Sequence, residues 1–541
     1  MSNPPRFPLT LPRLGNTGIW TGWLLPAVLL VLLATVYLAW SWTSELGGLG
    51  GDNAFYYLTA QFLSPWGESS TIAEYYARHN PYPPLMPLIL ALLGGGDSLL
   101  AAHLITTGFL ILAFVAFVFW LVRLGAGQWA AMGLLLVFAT AQETYLQTLD
   151  IHSENYLLCI CLATMGIATR ISTASLTAAA LLAGLAPLAR SAGMAMSVAF
   201  ICWLWLNHLI NTATTGGVGV SPSPVTRGQR VWFTALVILP SVLGALFSMK
   251  VPDQSSYSHL LMNKLHEIAA QGSYVEHLHR QFAGLRAGWQ LSFNCLLPLI
   301  WFIDTLGLLA LLGLLWRLFN RHLDGLFSAL YLLLLLAWPW VDEPHRYVFP
   351  VVPVLLVQAF LLADHLLRGR ARGAATFTFV VSLLFVNAPT FADAVERYFT
   401  RLPEDLTPFR QSRGWYEEAD PPVAMGFLYT LSNLTTGMTT AARAVPAGSC
   451  LLTIKPSVVA LYTGRMAYAP PKEQANDADF DREVAQLGCR YFFLMNASSL
   501  TYSQPLYPKQ RLGERARKIY SVLFPDGITV GSELLELSLP K

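Results

Sequence analysis

The sequence predicts a mainly α-helical, polytopic membrane protein with about 11 transmembrane helices and a small C-terminal α/β domain outside the cytoplasm. Of its 541 residues, 54% are hydrophobic and only 12% are charged, about half the charged share of a typical soluble domain. The hydrophobic residues cluster in long charge-free runs. A helix of about 20 apolar residues crosses the hydrocarbon core of a bilayer, so we expect these runs to span the membrane.

Eleven charge-free runs account for the predicted helices. They lie at 20–43, 98–122, 124–142, 155–169, 171–189, 191–211, 231–249, 287–303 (continuing to 316 past Asp304), 325–341, 347–363 and 373–391. No later run is long enough to span. We therefore divide the chain into a membrane module at 1–391 and a soluble α/β domain at 392–541.

Basic residues predict the orientation of the helices, because Lys and Arg favour cytoplasmic loops. If Arg6 and Arg13 are cytoplasmic, strict alternation also places the other basic loops inside, at 123, 170, 227–230, 317–321 and 368–372. The opposite loops are rich in Asp and Glu, and the longest of them are 44–97 and 250–290. An odd number of helices puts the C-terminal domain outside.

The C-terminal domain follows a mixed helix and strand pattern. We expect helices near 423–444, 457–463 and 478–487, and strands at 449–454 and 490–495. Cys450 and Cys489 each lie beside a predicted strand, and an oxidising compartment would permit a disulfide between them. Neighbouring strands need not point their side chains together, so the two cysteines are either bridged or free.

Candidate functional residues gather in the outer loops. Asp52 follows the first apolar run directly, where an acidic side chain at a membrane surface is a functional candidate. Its alternative role is helix capping. Further ionisable or aromatic candidates occur in separate outer segments: His79, Tyr82, Asp150, His152, Glu154, Arg190, Arg280, His345 and Arg346.

These residue types suit chemistry on a lipid phosphate. Carboxylates can abstract a proton or bind a divalent metal ion, for which Asp150, Glu154 and His79 are the candidate ligands. Arginines pair well with phosphate. Simpler roles are open as well: Ser153 and Glu154 could begin a helix, and Arg346 could form only a structural salt bridge. The net charge of +2 does not favour a nucleic-acid partner.

Several short motifs resemble the GT-C glycosyltransferases, in particular the branch of the protein O-mannosyltransferases and the lipid A aminoarabinose transferase. The sequence GDNAFYYLTAQFL at 51–63, followed by YPPLMPLILALL at 82–93, resembles the first outer loop of this branch. Ser-Glu-Asn at 153–155, Ala-Arg at 189–190 and Arg-Tyr-Val-Phe-Pro at 346–350 follow in the matching order. The similarity covers roughly the membrane part of the chain.

The resemblance implies a multi-pass protein of the bacterial inner membrane that takes a sugar, a hexose or pentose, from a polyprenyl-phosphate donor. It would pass that sugar to an acceptor outside the cytoplasm with inversion. Asp52 matches the catalytic acid of the family, and Arg190, Arg346 or residues of 250–290 would hold the phosphate. Many family members carry a second acid at the next position, where this chain has Asn53.

The alternative from a different functional class is a transporter or flippase of lipid-linked saccharides. Transport predicts ionisable groups near the middle of the membrane and inverted helix repeats, whereas here the polar groups gather at one face. A scaffold acting through its C-terminal domain would not need the acidic residues of the first outer loop.

Overall fold

A computed structural model gives the architecture of the chain. The described residues are 19–46, 51–206, 225–248, 262–263, 265–266, 268, 274–293, 299–339, 344–367, 370–416, 421–472, 475–495 and 507–538. The outer loop predicted at 250–290 therefore lies only partly within the described residues.

Helices make up almost all of the described membrane part. Their bounds are Ile19–Trp40, Gly51–Leu63, Thr71–Arg78, Leu85–Leu92, Leu99–Arg123, Gln128–Ala139, Gln142–Leu146, Glu154–Ala168, Thr173–Ala189, Met194–Leu206, Arg227–Ser248, Tyr274–Ser292, Ile300–Phe319, Leu323–Leu336, Pro344–Val348, Val352–Leu366 and Arg370–Phe399. The domain boundary predicted at 391/392 falls inside the last of these.

Three described segments are long and apolar enough to cross a membrane: Leu99–Arg123, Ile300–Phe319 and Thr376–Glu396. Shorter apolar helices, including Glu154–Ala168 and Thr173–Ala189, accompany them. Large apolar side chains face outward along these helices; Trp301 and Phe385, for example, are 77% and 72% exposed. An apolar surface of this extent suits a lipid environment rather than water.

The segment predicted as the first outer loop, 44–97, contains three short helices. The sequence predicts one amphipathic helix from Asp52 to about Ala77, but the helix ends at Leu63 and a second begins at Thr71. Pro65 and Gly67 interrupt it, because proline lacks an amide donor and glycine weakens helices. Ser70 caps the second helix by accepting the amide of Ala73. The sequence also predicts a second helix at the membrane interface, in the apolar stretch that ends at Leu93, and the structure has a helix there at Leu85–Leu92.

The C-terminal domain packs helices against a mixed five-stranded sheet of order β2-β1-β3-β5-β4. The strands are β1 (Leu451–Leu452), β2 (Ala467–Tyr468), β3 (Tyr491–Met495), β4 (Ala516–Leu523) and β5 (Val530–Leu537). The helices are Pro421–Ala444, Pro456–Thr463 and Asp477–Leu487, with a 3₁₀ segment at Glu404–Tyr416. Strands β2, β4 and β5 were absent from the sequence prediction.

A disulfide links Cys450 to Cys489. Cys450 immediately precedes β1, and Cys489 follows helix Asp477–Leu487 just before β3. Since β1 and β3 are parallel neighbours in the sheet, the residues before them lie side by side. Of the two alternatives that the sequence leaves open, the structure has the bridged one.

Candidate active site

Five chain segments bring a cluster of buried ions together. The centre of the cluster is Glu154, the first residue of its helix, which is fully buried. Its Oε1 atom accepts a hydrogen bond from Arg346 and lies 2.7 Å from Nη1 of Arg190. Arg190 ends helix Thr173–Ala189 as its C-cap, and its guanidinium carbon lies 5.4 Å from the ring centre of Tyr347.

Asp52 lies at the accessible edge of this cluster. Tyr82 donates a hydrogen bond of 2.7 Å to its Oδ1, and Nη2 of Arg346 lies 3.0 Å from its Oδ2. The Asp52 side chain is 30% exposed, against 9% for Arg346. Arg346 thus bridges the reachable carboxylate of Asp52 and the buried carboxylate of Glu154.

The surroundings of Asp52 favour its charged form. Burial alone would raise the pKa of its carboxyl group, but the charge of Arg346 and the hydrogen bond from Tyr82 outweigh burial and leave the pKa below its usual value. Asp52 is therefore ionised at neutral pH. Helix Gly51–Leu63 places it in its first turn, where a negative charge is also favoured by the helix dipole.

Ser153 connects the members of the cluster. It is the N-cap residue of helix Glu154–Ala168, with Glu154 in the first turn as the sequence predicts, but its side chain forms no cap hydrogen bond. Its hydroxyl oxygen accepts hydrogen bonds from Tyr56 and Arg190, both at 3.2 Å. The same hydroxyl lies 3.4 Å from Oε2 of Glu154 and can donate to it.

Asp150 and His152 form a second polar group beside Asn53. The amide nitrogen of Asn53 donates to Oδ1 of Asp150, and Nε2 of His152 lies 3.7 Å from Oδ2 of Asp150. All three side chains are buried. Burial and the nearby charge of Arg346 lower the pKa of His152 to about 3, so this imidazole is neutral at pH 7.

The sequence prediction missed Glu143, which lies buried near the same cluster. Its Oε1 accepts a hydrogen bond of 2.5 Å from Gln147, and its Oε2 is 3.9 Å from Nε2 of His345. Burial raises the pKa of Glu143, although His345 and Gln147 oppose that shift. One sequence signal was available: Glu143 is the acid that ends the run 124–142, at the predicted outer face.

Two of the predicted site residues, Arg280 and His79, contact residues outside the cluster around Glu154. Arg280 lies on helix Tyr274–Ser292 and pairs with Glu276 at 3.6 Å, where its side chain is 53% exposed. His79 stacks on the ring of Tyr75 at 4.2 Å and bonds to the Tyr75 carbonyl group. Neither contact joins the residue to the cluster around Glu154.

The three metal candidates do not assemble into one site. Asp150 contacts Asn53 and His152, Glu154 contacts two arginines, and His79 contacts Tyr75. Across the described parts of the chain, no group of three or more His, Cys, Asp or Glu side chains is arranged to hold a metal ion. The alternative partners predicted for Arg346 in a structural salt bridge, Asp342 and Glu343, lie outside the described residues.

The chemistry available here joins a base to an anion site. Asp52 offers an ionised, partly exposed carboxylate that can accept a proton. Arg346, in direct contact with it, and Arg190, joined through Glu154, supply positive charge that can stabilise a phosphate or another developing anion. Tyr82 holds one oxygen of Asp52 and so fixes the direction of the other.

Comparison with solved structures shows the fold. ArnT from Cupriavidus metallidurans, bound to undecaprenyl phosphate, matches with a TM-score of 0.53 and 13% identity over 95% of this chain and 98% of that one. ArnT in the apo state matches with a TM-score of 0.51 and 12% identity over 96% and 98%.

The archaeal oligosaccharyltransferase AglB from Archaeoglobus fulgidus matches less well, with a TM-score of 0.45 and 12% identity over 88% of this chain and 70% of that one. No family model matches the sequence, and neither does any curated protein. The likeness to ArnT extends over nearly the full length of both chains. The chain therefore has the fold of ArnT, one of the GT-C glycosyltransferases that its sequence motifs resemble.

Proposed function

We propose that the protein is a membrane glycosyltransferase that transfers a sugar from a polyprenyl-phosphate donor to an acceptor outside the cytoplasm. The observation that carries this proposal is the contact between ionised Asp52 and Arg346 at the end of apolar helices. It places a carboxylate that can act as a base beside a guanidinium group that can bind an anion. The fold supports it, because ArnT, which shares that fold, binds undecaprenyl phosphate.

The reaction is a single displacement with inversion. The acceptor hydroxyl or amine attacks the anomeric carbon of the sugar and gives its proton to Asp52. The bond from that carbon to the phosphate oxygen breaks, and its electron pair leaves with the polyprenyl phosphate. Asp52 therefore acts as the general base, while Arg346 and Arg190 stabilise the charge of the leaving phosphate.

Glu154 supports this reaction indirectly. Because it accepts hydrogen bonds from both arginines, it holds the two guanidinium groups next to each other despite their mutual repulsion. Tyr82 plays the matching part for Asp52, since its hydroxyl group orients the carboxylate. His152 is neutral at physiological pH and so adds no further charge to the donor site.

Two features support an outer location for the site and for the C-terminal domain. Basic residues concentrate in the loops on the opposite side, as expected for cytoplasmic loops. The disulfide between Cys450 and Cys489 is of the kind that persists outside the cytoplasm. We place the protein in the bacterial inner membrane with its N-terminus in the cytoplasm.

The test uses purified protein in proteoliposomes with radiolabelled polyprenyl-phosphate sugars and membrane extracts as acceptors. Asp52→Asn should reduce covalent transfer by about 10² to 10⁴-fold, the usual contribution of a general base, while the protein stays folded and inserted. Asp97→Asn is the matched control, because Asp97 is an exposed acid of the same outer loop.

Transfer by Asp52→Asn at the parent rate would exclude Asp52 as the base. Movement of labelled lipid between leaflets without covalent transfer would instead indicate a flippase. If the parent protein did neither, a scaffold would become the better hypothesis.

A further inference from the structure

The C-terminal domain contacts the peptide group that precedes Asp52. Its helix Pro456–Thr463 packs against helix Gly51–Leu63 of the first outer loop. The hydroxyl group of Ser457 donates a hydrogen bond of 3.2 Å to the carbonyl oxygen of Gly51. Ser457 is only 2% exposed, so solvent has little access to this hydrogen bond.

Tyr462, on the same short helix, holds the chain just upstream. Its hydroxyl group donates to Oε2 of Glu45 at 2.8 Å and accepts the backbone amide of Leu46 at 3.1 Å. The backbone carbonyl of Glu45 also lies 3.0 Å from Nε2 of buried His103. The segment that follows the first apolar helix and the start of the Asp52 helix are thus both tied to one helix of the C-terminal domain.

A third contact joins the domain to the next helix of the outer loop. Tyr76 donates a hydrogen bond of 2.7 Å to the carbonyl oxygen of Ala467, at the start of β2. The rings of Tyr75 and Tyr468 meet edge to face with their centres 5.4 Å apart. The domain therefore holds the outer loop at several points around Asp52.

These contacts act on a part of Asp52 that its site neighbours do not touch. Tyr82 and Arg346 bind the carboxylate end of the side chain. Ser457 instead binds the peptide group that carries the Asp52 nitrogen. Rotation of that peptide would swing the whole side chain, and a displacement of about 1 Å at a reacting group can slow catalysis about 10²-fold.

We propose that Ser457 and Tyr462 are positioning residues through which the C-terminal domain sets the place of Asp52. The kinetic part of this inference rests on the proposed role of Asp52 as a base. The structural part, that the domain orders the start of helix Gly51–Leu63, does not depend on that role.

The experiment uses the full-length protein in proteoliposomes and compares Ser457→Ala with Thr439→Ala. Thr439 is the control because it is an exposed hydroxyl residue of the same domain whose hydroxyl group donates to the carbonyl of Thr436 in its own helix. Ser457→Ala should lower kcat about tenfold with an unchanged KM for the donor, since the base moves while the donor site stays intact. Ser457→Thr, which keeps a hydroxyl group, should recover most of the rate.

Hydrogen exchange supplies a readout that is independent of transfer. Backbone amides at 52–58 should exchange faster in Ser457→Ala than in the parent, and at the parent rate in Thr439→Ala. If Ser457→Ala does not fold, Tyr462→Phe removes only one hydroxyl group and should give the same changes in kcat and exchange.

Parent values of both kcat and exchange in the folded Ser457 and Tyr462 variants would overturn the proposal. A raised donor KM with unchanged kcat would also overturn it, because that pattern places these residues in donor binding. If the parent protein transfers no sugar, the proposed function fails, and the exchange rates alone decide whether the domain orders this helix.

Discussion

Replacing Glu154 by glutamine should destabilise the protein by about 3 kcal/mol. The substitution keeps the size and one neutral acceptor oxygen of the side chain but removes its charge. Two arginines then lose their shared buried anion, and their side chains are only 14% and 9% exposed for Arg190 and Arg346. Water can therefore replace little of the lost interaction.

The magnitude follows from the geometry of the cluster. At the 2.7 Å between Arg190 and Glu154, the attraction is about 6 kcal/mol for an effective dielectric constant near 20. The cost of burying the carboxylate offsets much of this attraction. Breaking a buried ion pair costs about 3 to 5 kcal/mol overall, and we choose the lower end because Arg346 keeps Asp52 as a partner.

Unfolding by a denaturing detergent in mixed micelles measures this difference. Glu276→Gln is the control, since Glu276 forms an exposed pair with Arg280 at 3.6 Å that should contribute less than about 1 kcal/mol. If the free energies of unfolding of the two variants agree within about 0.5 kcal/mol, Glu154 does not hold the arginines as the structure shows.

Three further results are expected. Because Arg346 and Tyr82 hold the pKa of Asp52 below its usual value, kcat should be level from about pH 5 to 8 and fall only as the pH drops through that lowered pKa. A fall of kcat that begins near pH 6 would contradict this. Arg346→Gln should move the acidic fall of kcat to higher pH. His152 has a pKa of about 3 when folded and about 6.5 when unfolded, so the unfolded chain takes up a proton at this residue first and its contribution to stability falls on acidification. Between pH 7.5 and 5.5 this contribution should fall by about 1.4 kcal/mol, and the loss of stability in His152→Asn, followed by unfolding at both pH values, should be smaller than that of the parent by this amount. Cys450→Ser should lower the free energy of unfolding of the C-terminal domain by about 4 kcal/mol, because the unfolded chain regains the entropy of a loop closed over 39 residues. Reductant should bring the parent protein to the unfolding midpoint of the variant.

Sequence patterns predicted which residues share one face of the membrane, because helix alternation fixes the side on which each loop emerges. Asp52, Tyr82, Glu154, Arg190 and Arg346 do meet in the structure. The pairing itself was not predictable. Arg346 and its two acidic partners are separated by 192 and 294 positions, and no local periodicity reports on contacts at that distance.

Strands β4 and β5 escaped prediction for a different physical reason. Their charged residues interrupt the apolar pattern that identifies a buried strand. In the sheet, Arg517 lies opposite Glu536 and forms an ion pair with it. Lys509, in the 3₁₀ turn Lys509–Arg511 before β4, pairs with Glu533 of β5. Charges that look unfavourable in one strand become favourable only when the neighbouring strand is known.

The position of Arg346 between Asp52 and Glu154 orders the events of the proposed reaction. A carboxylate with a lowered pKa is ionised but is a weak base, so it accepts the acceptor proton only after bond formation has made that proton more acidic. The arginines act earlier, on the negative charge that develops as the phosphate leaves. Departure of the phosphate therefore leads, positive charge develops on the sugar, and proton transfer to Asp52 follows. One guanidinium group serves both steps, since the charge that weakens the base also stabilises the leaving group.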